Sequence, residues 1–174
     1  DAPYNRGRDK YPAGQTALAA WTLACCGVGP NDPRWGRTLD RLAEADIRRV
    51  YSRSFRAMAL SRLDPLQYAR TIRNDVAGIV TAQTPGGGWG YGVSHNLVDR
   101  NWVDCSNSQI ALLALWEAWR AGVEVPAKVW ISAAAFWAEF QRDDGGWTYH
   151  GKDKASDGSM TAAGVASLFI LLDL

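Results

Sequence analysis

The chain has 174 residues, which is enough for a domain with a hydrophobic core, and we treat residues 1–174 as one domain. The formal net charge is only +1 and no block of Lys and Arg stands out, so we expect no nucleic-acid partner. No uninterrupted apolar run reaches the roughly 18–20 residues that a membrane span requires. We therefore expect no transmembrane segment.

The three cysteines do not form a disulfide framework. Cys25 and Cys26 are adjacent, and neighbours on one helix cannot easily meet disulfide geometry. We interpret them as small buried thiols, which favours a reducing compartment such as the cytoplasm. The sequence does not begin with Met, and we expect it to be a piece of a longer chain.

Helices of two kinds are predicted to alternate along the chain. The first kind is apolar on nearly every side and is expected to be buried on every side. It comprises residues 16–26, 55–63 (the weakest member), 110–119 and 162–172. The second kind has a single apolar stripe and comprises residues 35–45, 68–80 and 129–140. We expect no strand. The alternation predicts an inner layer of fully buried helices and an outer layer of one-sided helices.

A short motif occurs twice without a gap. QTPGGGWGY at residues 83–91 and QRDDGGWTY at residues 141–149 superpose at an offset of 58 positions. The glycines permit a tight turn after an outer helix. We expect Trp89 and Trp147 to lie over Gln83 and Gln141, whose amides would bond backbone groups at helix ends. The motif is thus predicted to be a structural clasp and not a catalytic site.

The inner helix after each clasp is predicted to begin at a hydroxyl or an amide side chain, which suits helix capping. Asn107 and Ser108 fill this role after the first clasp, and Ser159 and Thr161 fill it after the second. On this alignment the first connection is six residues longer than the second. Because loops that differ within a repeat often carry function, the extra segment at residues 93–102 is a candidate functional loop.

The repeated Gln-x(3)-Gly-Gly-Trp motif resembles the QW motif of the squalene and oxidosqualene cyclases and their prenyltransferase-repeat relatives. The inner-helix starts at residues 106–115 and 159–164 are also similar to that repeat, and residues 14–63 fit it more loosely. The resemblance implies an all-α fold, an α/α toroid of alternating inner and outer helices. Three pairs and one closing inner helix correspond to about half a ring, so the toroid is expected to be partial.

The resemblance also implies a candidate acid. Class II terpenoid cyclases protonate an alkene or epoxide with an Asp at the start of an inner helix, and Val103-Asp104-Cys105-Ser106 resembles the Asp-Cys-Thr stretch of the oxidosqualene cyclases. The Asp-x-Asp-Asp-Thr stretch of the bacterial squalene cyclases is absent. An Asp before a helix is also commonly a cap, and Asp157 occupies a similar place before the last helix. Both interpretations of Asp104 remain open at this stage.

An apolar ligand would need a lining as well as an acid, since aromatic faces stabilise cationic intermediates. The candidate ligand-binding residues are Trp21, Phe55, Cys105, Trp116, Trp119 and Phe169. These aromatic residues are alternatively core packing. The related prenyltransferases hold zinc with Asp, Cys and His. In this chain His95 or His150 could approach Cys105, but four zinc ligands are not evident. We therefore expect neither a metal nor a cofactor. Asp143 and Asp144 lie in the turn of the second motif, and we interpret them as structural residues.

Two functions follow from these observations. The first is a squalene-cyclase/prenyltransferase-repeat-like toroid domain that is not catalytic on its own. Such a domain would bind a partner, either the remainder of a longer chain or another subunit, or an apolar isoprenoid-type ligand. The alternative is a class II triterpene cyclase with Asp104 as general acid.

Overall fold

The computed structural model describes residues 13–91, 103–150 and 155–174, and this part of the chain is all-helical. The helices are α1 (Gly14–Cys25), α2 (Thr38–Glu44), α3 (Val50–Leu63), α4 (Ala69–Ala82), α5 (Cys105–Arg120), α6 (Ala127–Phe140) and α7 (Gly158–Leu172), with a 3-10 turn at Pro33–Trp35. The β interaction within these residues is one isolated bridge between Gly90 and Val103. The all-α prediction is confirmed.

The odd-numbered helices form a row in chain order. Helix α3 packs against α1 and α5, and α5 packs against α7. Of the even-numbered helices, α2 contacts α1 and α3, α4 contacts α3 and α5, and α6 contacts α7. None of the helices in the described ranges is long and apolar enough to cross a membrane.

The even-numbered helices have the predicted stripes. In α4, Ile72, Val76 and Ile79 are buried while Arg70 and Arg73 are exposed. Helix α6 buries Val129, Ala133, Phe136 and Trp137. The prediction for residues 35–45 was too long, because Gly36 adopts a φ of 51° and ends the 3-10 turn before α2 starts at Thr38.

Burial of the odd-numbered helices depends on their place in the row more than on their composition. Helix α3, which has the weakest apolar pattern, is buried along most of its length because it has a helix on each side. The two end helices are not buried on every side, so that prediction was wrong for them. Cys25 and Cys26, at the end of α1, are exposed, so the prediction of buried thiols was wrong as well. Leu18 of α1 is 40% exposed, and Val165 and Phe169 of α7 are 45% and 69% exposed.

A buried ion pair joins three helices at one point. Arg56 of α3 donates from Nε to Oδ2 of Asp75 over 2.7 Å and from Nη2 to Oδ1 over 2.8 Å. Its Nη1 donates to the carbonyl oxygens of Leu42 and Ala45 at the end of α2. Both charges are almost fully removed from water, and the two-pronged geometry is the one in which such a pair is strongest. Arg56 therefore holds α2 and α4 against α3.

Candidate functional site

The first clasp is a hydrogen-bonded turn that begins where α4 ends. Gln83 follows the last residue of the helix, Thr84 N donates to the Gly88 carbonyl oxygen over 3.0 Å, and Gly87 N donates to the Thr84 carbonyl oxygen over 2.9 Å. Gly87 has a φ of +86°, a region that L-residues with a side chain rarely adopt. This position of the motif therefore requires glycine.

The second clasp repeats these bonds at the offset of 58 residues. Arg142 N donates to the Gly146 carbonyl oxygen over 2.9 Å, and Gly145 N donates to the Arg142 carbonyl oxygen over 2.8 Å. Gly145 has a φ of +83°, close to the value at its counterpart. The two turns thus have the same backbone, although Thr and Pro in one are replaced by Arg and Asp in the other.

The tryptophans cap the helices that precede them. Trp89 Nε1 donates to the Ile79 carbonyl oxygen over 2.8 Å, and Trp147 Nε1 donates to the Trp137 carbonyl oxygen over 2.9 Å. Both acceptors are among the last four carbonyls of a helix, which lack partners within the helix. Both indoles are buried. These helix-end bonds were predicted for the Gln amides, but at the end of the preceding helix the donor is the Trp indole N–H.

The glutamines close the turns. Gln83 Nε2 donates to the Gly87 carbonyl oxygen over 2.9 Å and to the Val129 carbonyl oxygen in the first turn of α6 over 3.0 Å. Gln141 Nε2 donates to the Gly145 carbonyl oxygen over 2.8 Å. The predicted bond from a Gln amide to a neighbouring helix is present at Gln83. The stacking of Trp over Gln stays a prediction.

Each clasp is also bonded to the start of the next odd-numbered helix. Trp89 N donates to Ser108 Oγ over 2.9 Å, and Trp147 N donates to Thr161 Oγ1 over 3.2 Å. Asp104 N and Asp157 N donate in turn to the carbonyl oxygens of Trp89 and Trp147. These bonds align Ser108 with Thr161 at an offset of 53, so the first connection is longer by five residues and not six. The candidate loop at residues 93–102 lies outside the described residues.

The two clasps meet each other and the start of α5. The hydroxyl oxygens of Tyr91 and Tyr149 lie 2.9 Å apart in a hydrogen bond. Cys105 N donates to the Tyr149 carbonyl oxygen over 3.1 Å. The ends of α4 and α6 and the starts of α5 and α7 are therefore gathered at one end of the domain.

Asp104 caps α5. Its Oδ1 accepts from Asn107 N over 2.7 Å and its Oδ2 accepts from Asn107 Nδ2 over 2.9 Å. Of the two interpretations of Asp104, the helix cap is the one present here, whereas Asn107 and Ser108, which were also predicted to cap the helix, lie within its first turn. Burial raises the pKa of Asp104, while the two bonds from Asn107 and the charge of nearby His150 act to lower it. The carboxyl group is thus buried, and each of its oxygens accepts a hydrogen bond from its own helix.

Asp157 caps α7 in the same manner but near the surface. Its Oδ1 accepts from Met160 N over 2.8 Å, and Ser159 Oγ donates to the same oxygen over 2.7 Å. These bonds hold the pKa of Asp157 below its usual value, with the bond from Met160 N as the largest cause. The two caps are alike, but the pKa of Asp104 is raised because burial is the largest effect on it, whereas hydrogen bonds are the largest effect on Asp157.

Asn107 is a residue of this region that the sequence did not single out for Asp104. It is fully buried, and its Oδ1 has no hydrogen-bond partner among the residues that the structure describes. An Asp followed three residues later by a polar amide is the signal by which the pair could have been found.

Cys105 lies beside Asp104 and is fully buried. Burial, together with the negative charges of Asp104 and Asp157, raises its pKa to about 12, so it is a neutral thiol near pH 7. Within residues 13–91, 103–150 and 155–174, no group of three or more His, Cys, Asp or Glu is placed to hold a metal ion. His95 lies outside these ranges.

The candidate aromatic residues are not gathered at one place. Trp21 and Phe55 pack together with ring centroids 5.8 Å apart. Trp116 donates from Nε1 to Oδ2 of Asp173, and Arg120 lies over its ring at 4.6 Å. Trp119 and Phe169 are exposed.

The acid and the aromatic residues of α5 lie at opposite ends of that helix. Cys105 is its first residue and Trp116 is eleven residues further on. At a rise of 1.5 Å per residue this corresponds to roughly 16 Å along the axis. The described residues therefore do not bring Asp104 and Cys105 into contact with Trp116 and Trp119.

Asp143 and Asp144, which were predicted to be structural, belong to the second clasp. Asp144 accepts from Gly146 N over 3.1 Å and from Ser156 Oγ over 2.8 Å, and these bonds hold its pKa below the usual value. Both bonds stabilise the turn.

Comparisons of the chain with known protein families, with curated proteins and with solved structures find no match.

Proposed function

We propose that this chain is a repeat domain of the squalene-cyclase/prenyltransferase type, a partial α/α toroid that is not catalytic on its own and serves to bind a partner. The observation that carries the proposal is the repetition of the clasp bond by bond, from the glycine turn to the Trp cap. A motif that occurs twice with the same internal bonds fits a structural unit of a repeat array.

Asp104 supports the same conclusion. Its two oxygens already accept from Asn107, and its counterpart Asp157 makes an equivalent cap. A catalytic acid needs a protonated oxygen that faces the substrate, whereas both oxygens of Asp104 face donors of its own helix. The distance between this region and Trp116 also disfavours a single closed cavity for a cation.

A class II triterpene cyclase remains the second candidate because burial raises the pKa of Asp104. A carboxyl group held protonated in a dry site is what alkene protonation requires. A cyclase must also enclose a long hydrocarbon away from water, for which a partial ring is poorly suited.

The test is to incubate the purified chain with squalene and with oxidosqualene and to search for cyclic triterpenes by mass spectrometry. We expect none from the parent chain. We also expect Asp104→Asn to lower the free energy of unfolding by about 1 kcal/mol, as loss of a helix cap does. Cyclic product that disappears in Asp104→Asn would reject the proposal and make Asp104 the general acid.

A further inference from the structure

The two clasps have the same backbone but different surroundings. The first is covered by α6. Gln83 Nε2 reaches the Val129 carbonyl oxygen, and a Cβ added to Gly87 would overlap the carbonyl oxygen of Ser132. A Cβ added to Gly88 would come within 2.5 Å of the Phe136 ring.

The second clasp lacks such a cover in the described part of the chain. A Cβ added to Gly145 would meet nothing within 4 Å, and Gly145 is exposed whereas Gly87 is buried. Gln141 is exposed as well, and the structure gives its Nε2 one acceptor where Gln83 Nε2 has two. Within the described residues, the second clasp thus has no counterpart of the α6 contacts made at the first clasp.

The helix that follows the second clasp is also more exposed than its counterpart after the first clasp, because α7 stands at the end of the row. At the offset of 53, Val165 of α7 corresponds to Leu112 of α5, and Phe169 corresponds to Trp116. Leu112 is fully buried, but Val165 is 45% exposed. Helix α7 carries no Lys, Arg, Asp or Glu between Gly158 and Leu172, which is unusual for a helix with a face in water.

We infer that the second clasp, defined by Gln141 and Gly145, is a docking surface for a partner polypeptide that presents an amphipathic helix of the α6 type. The α6 residues that contact the first clasp indicate which groups the partner helix must present. Val129, Ser132 and Phe136 are spaced i, i+3 and i+7 on one stripe of α6. The Val129 carbonyl oxygen accepts from the clasp Gln, the Ser132 carbonyl oxygen lies against the first glycine of the motif's Gly-Gly pair, and the Phe136 ring lies against the second glycine of that pair. The inference rests on the proposed function and specifies its partner.

The probe is a synthetic peptide of residues 126–140 with lysines added at both ends for solubility and a fluorophore at one end. Its sequence already fits the equivalent surface of the first clasp. Fluorescence anisotropy on titration with the whole chain should give saturable binding with one peptide per chain. The same peptide with Phe136→Asp should bind at least tenfold more weakly, and this variant cannot unfold the protein.

The protein variant is Gly145→Asn, because Asn tolerates positive φ and its side chain would project where the Ser132 carbonyl oxygen lies in the first clasp. Gly122→Asn is the matched control. Gly122 has a φ of +90° with open space around it, and it lies past the other end of α5. Both variants should change the melting temperature of the protein by similar small amounts. Affinity should fall at least tenfold in Gly145→Asn and stay within twofold in Gly122→Asn.

Equal affinity for the two variants, or no binding of the peptide to the parent chain, would overturn the docking surface. A concentration-dependent dimer that Gly145→Asn disrupts would assign the surface to a second copy and would also overturn the inference. Neither result touches the proposed function, which fails only through cyclic product in the squalene assay. The two failures are therefore distinguishable.

Discussion

Gly87 and Gly145 hold equivalent places with nearly equal φ values, so substituting each by Ala separates backbone strain from packing. A residue with a side chain in the left-handed region costs about 1–2 kcal/mol, and this cost applies to both positions. Only at Gly87 does the new Cβ meet Ser132 and Phe136, which must shift. Overpacking of a filled site typically costs about 1–3 kcal/mol more.

We therefore expect Gly145→Ala to lower the free energy of unfolding by about 1–2 kcal/mol and Gly87→Ala by about 2–5 kcal/mol. Urea unfolding followed by far-ultraviolet circular dichroism measures both, with Gly122→Ala as the control for strain alone. Equal losses at Gly87 and Gly145 would show that α6 does not pack on the first clasp as described. A larger loss at Gly145 would show that the second clasp is covered in the isolated chain.

Three further predictions concern stability. Trp147→Ala should cost about 3–5 kcal/mol because a buried indole and a helix-end bond are lost, and an unchanged melting temperature would refute this. Arg56→Ala should cost about 3–5 kcal/mol because the buried Asp75 loses both of its Arg56 hydrogen bonds and keeps only the ion pair with Arg53 at 3.8 Å. Arg56→Met with Asp75→Leu should recover most of the loss in urea unfolding. Folding lowers the pKa of Asp157, so its contribution to the free energy of unfolding is present above its unfolded pKa and is lost as pH falls below about 4. Asp157→Asn should therefore reduce the dependence of melting temperature on pH in that range. An unchanged dependence would contradict the cap.

The local features of this chain were predictable because they follow from periodicity and repetition. The stripe of α4 and the equivalence of the two clasps needed only the spacing of apolar residues and the offset of 58. The bond partners within the clasp were less accessible. Sequence alone does not tell whether a Gln amide or an indole N–H reaches a helix-end carbonyl, since both groups are donors within range.

Burial was harder to predict than helicity because it depends on neighbours along the row. Helix α7 is more apolar than α3, yet Phe169 is exposed while Phe55 is buried. The row places α3 between two helices and leaves α7 with one in the described residues. The ion pair of Arg56 and Asp75 was also missed, because charged residues on helix patterns are normally exposed and nothing in the sequence marks two of them as partners 19 positions apart.

The row of odd-numbered helices has a consequence for local unfolding. Each member gains its stability mainly from the helices beside it, as in other repeat arrays, so opening should start at the ends and move inward. Amides of α1 and α7 should exchange with solvent through partial opening, and those of α3 and α5 only when the whole array unfolds. A helix docked on the second clasp would take the place that α6 has at the first clasp, outside the row, and would slow exchange first at the start of α7, which is bonded to that clasp.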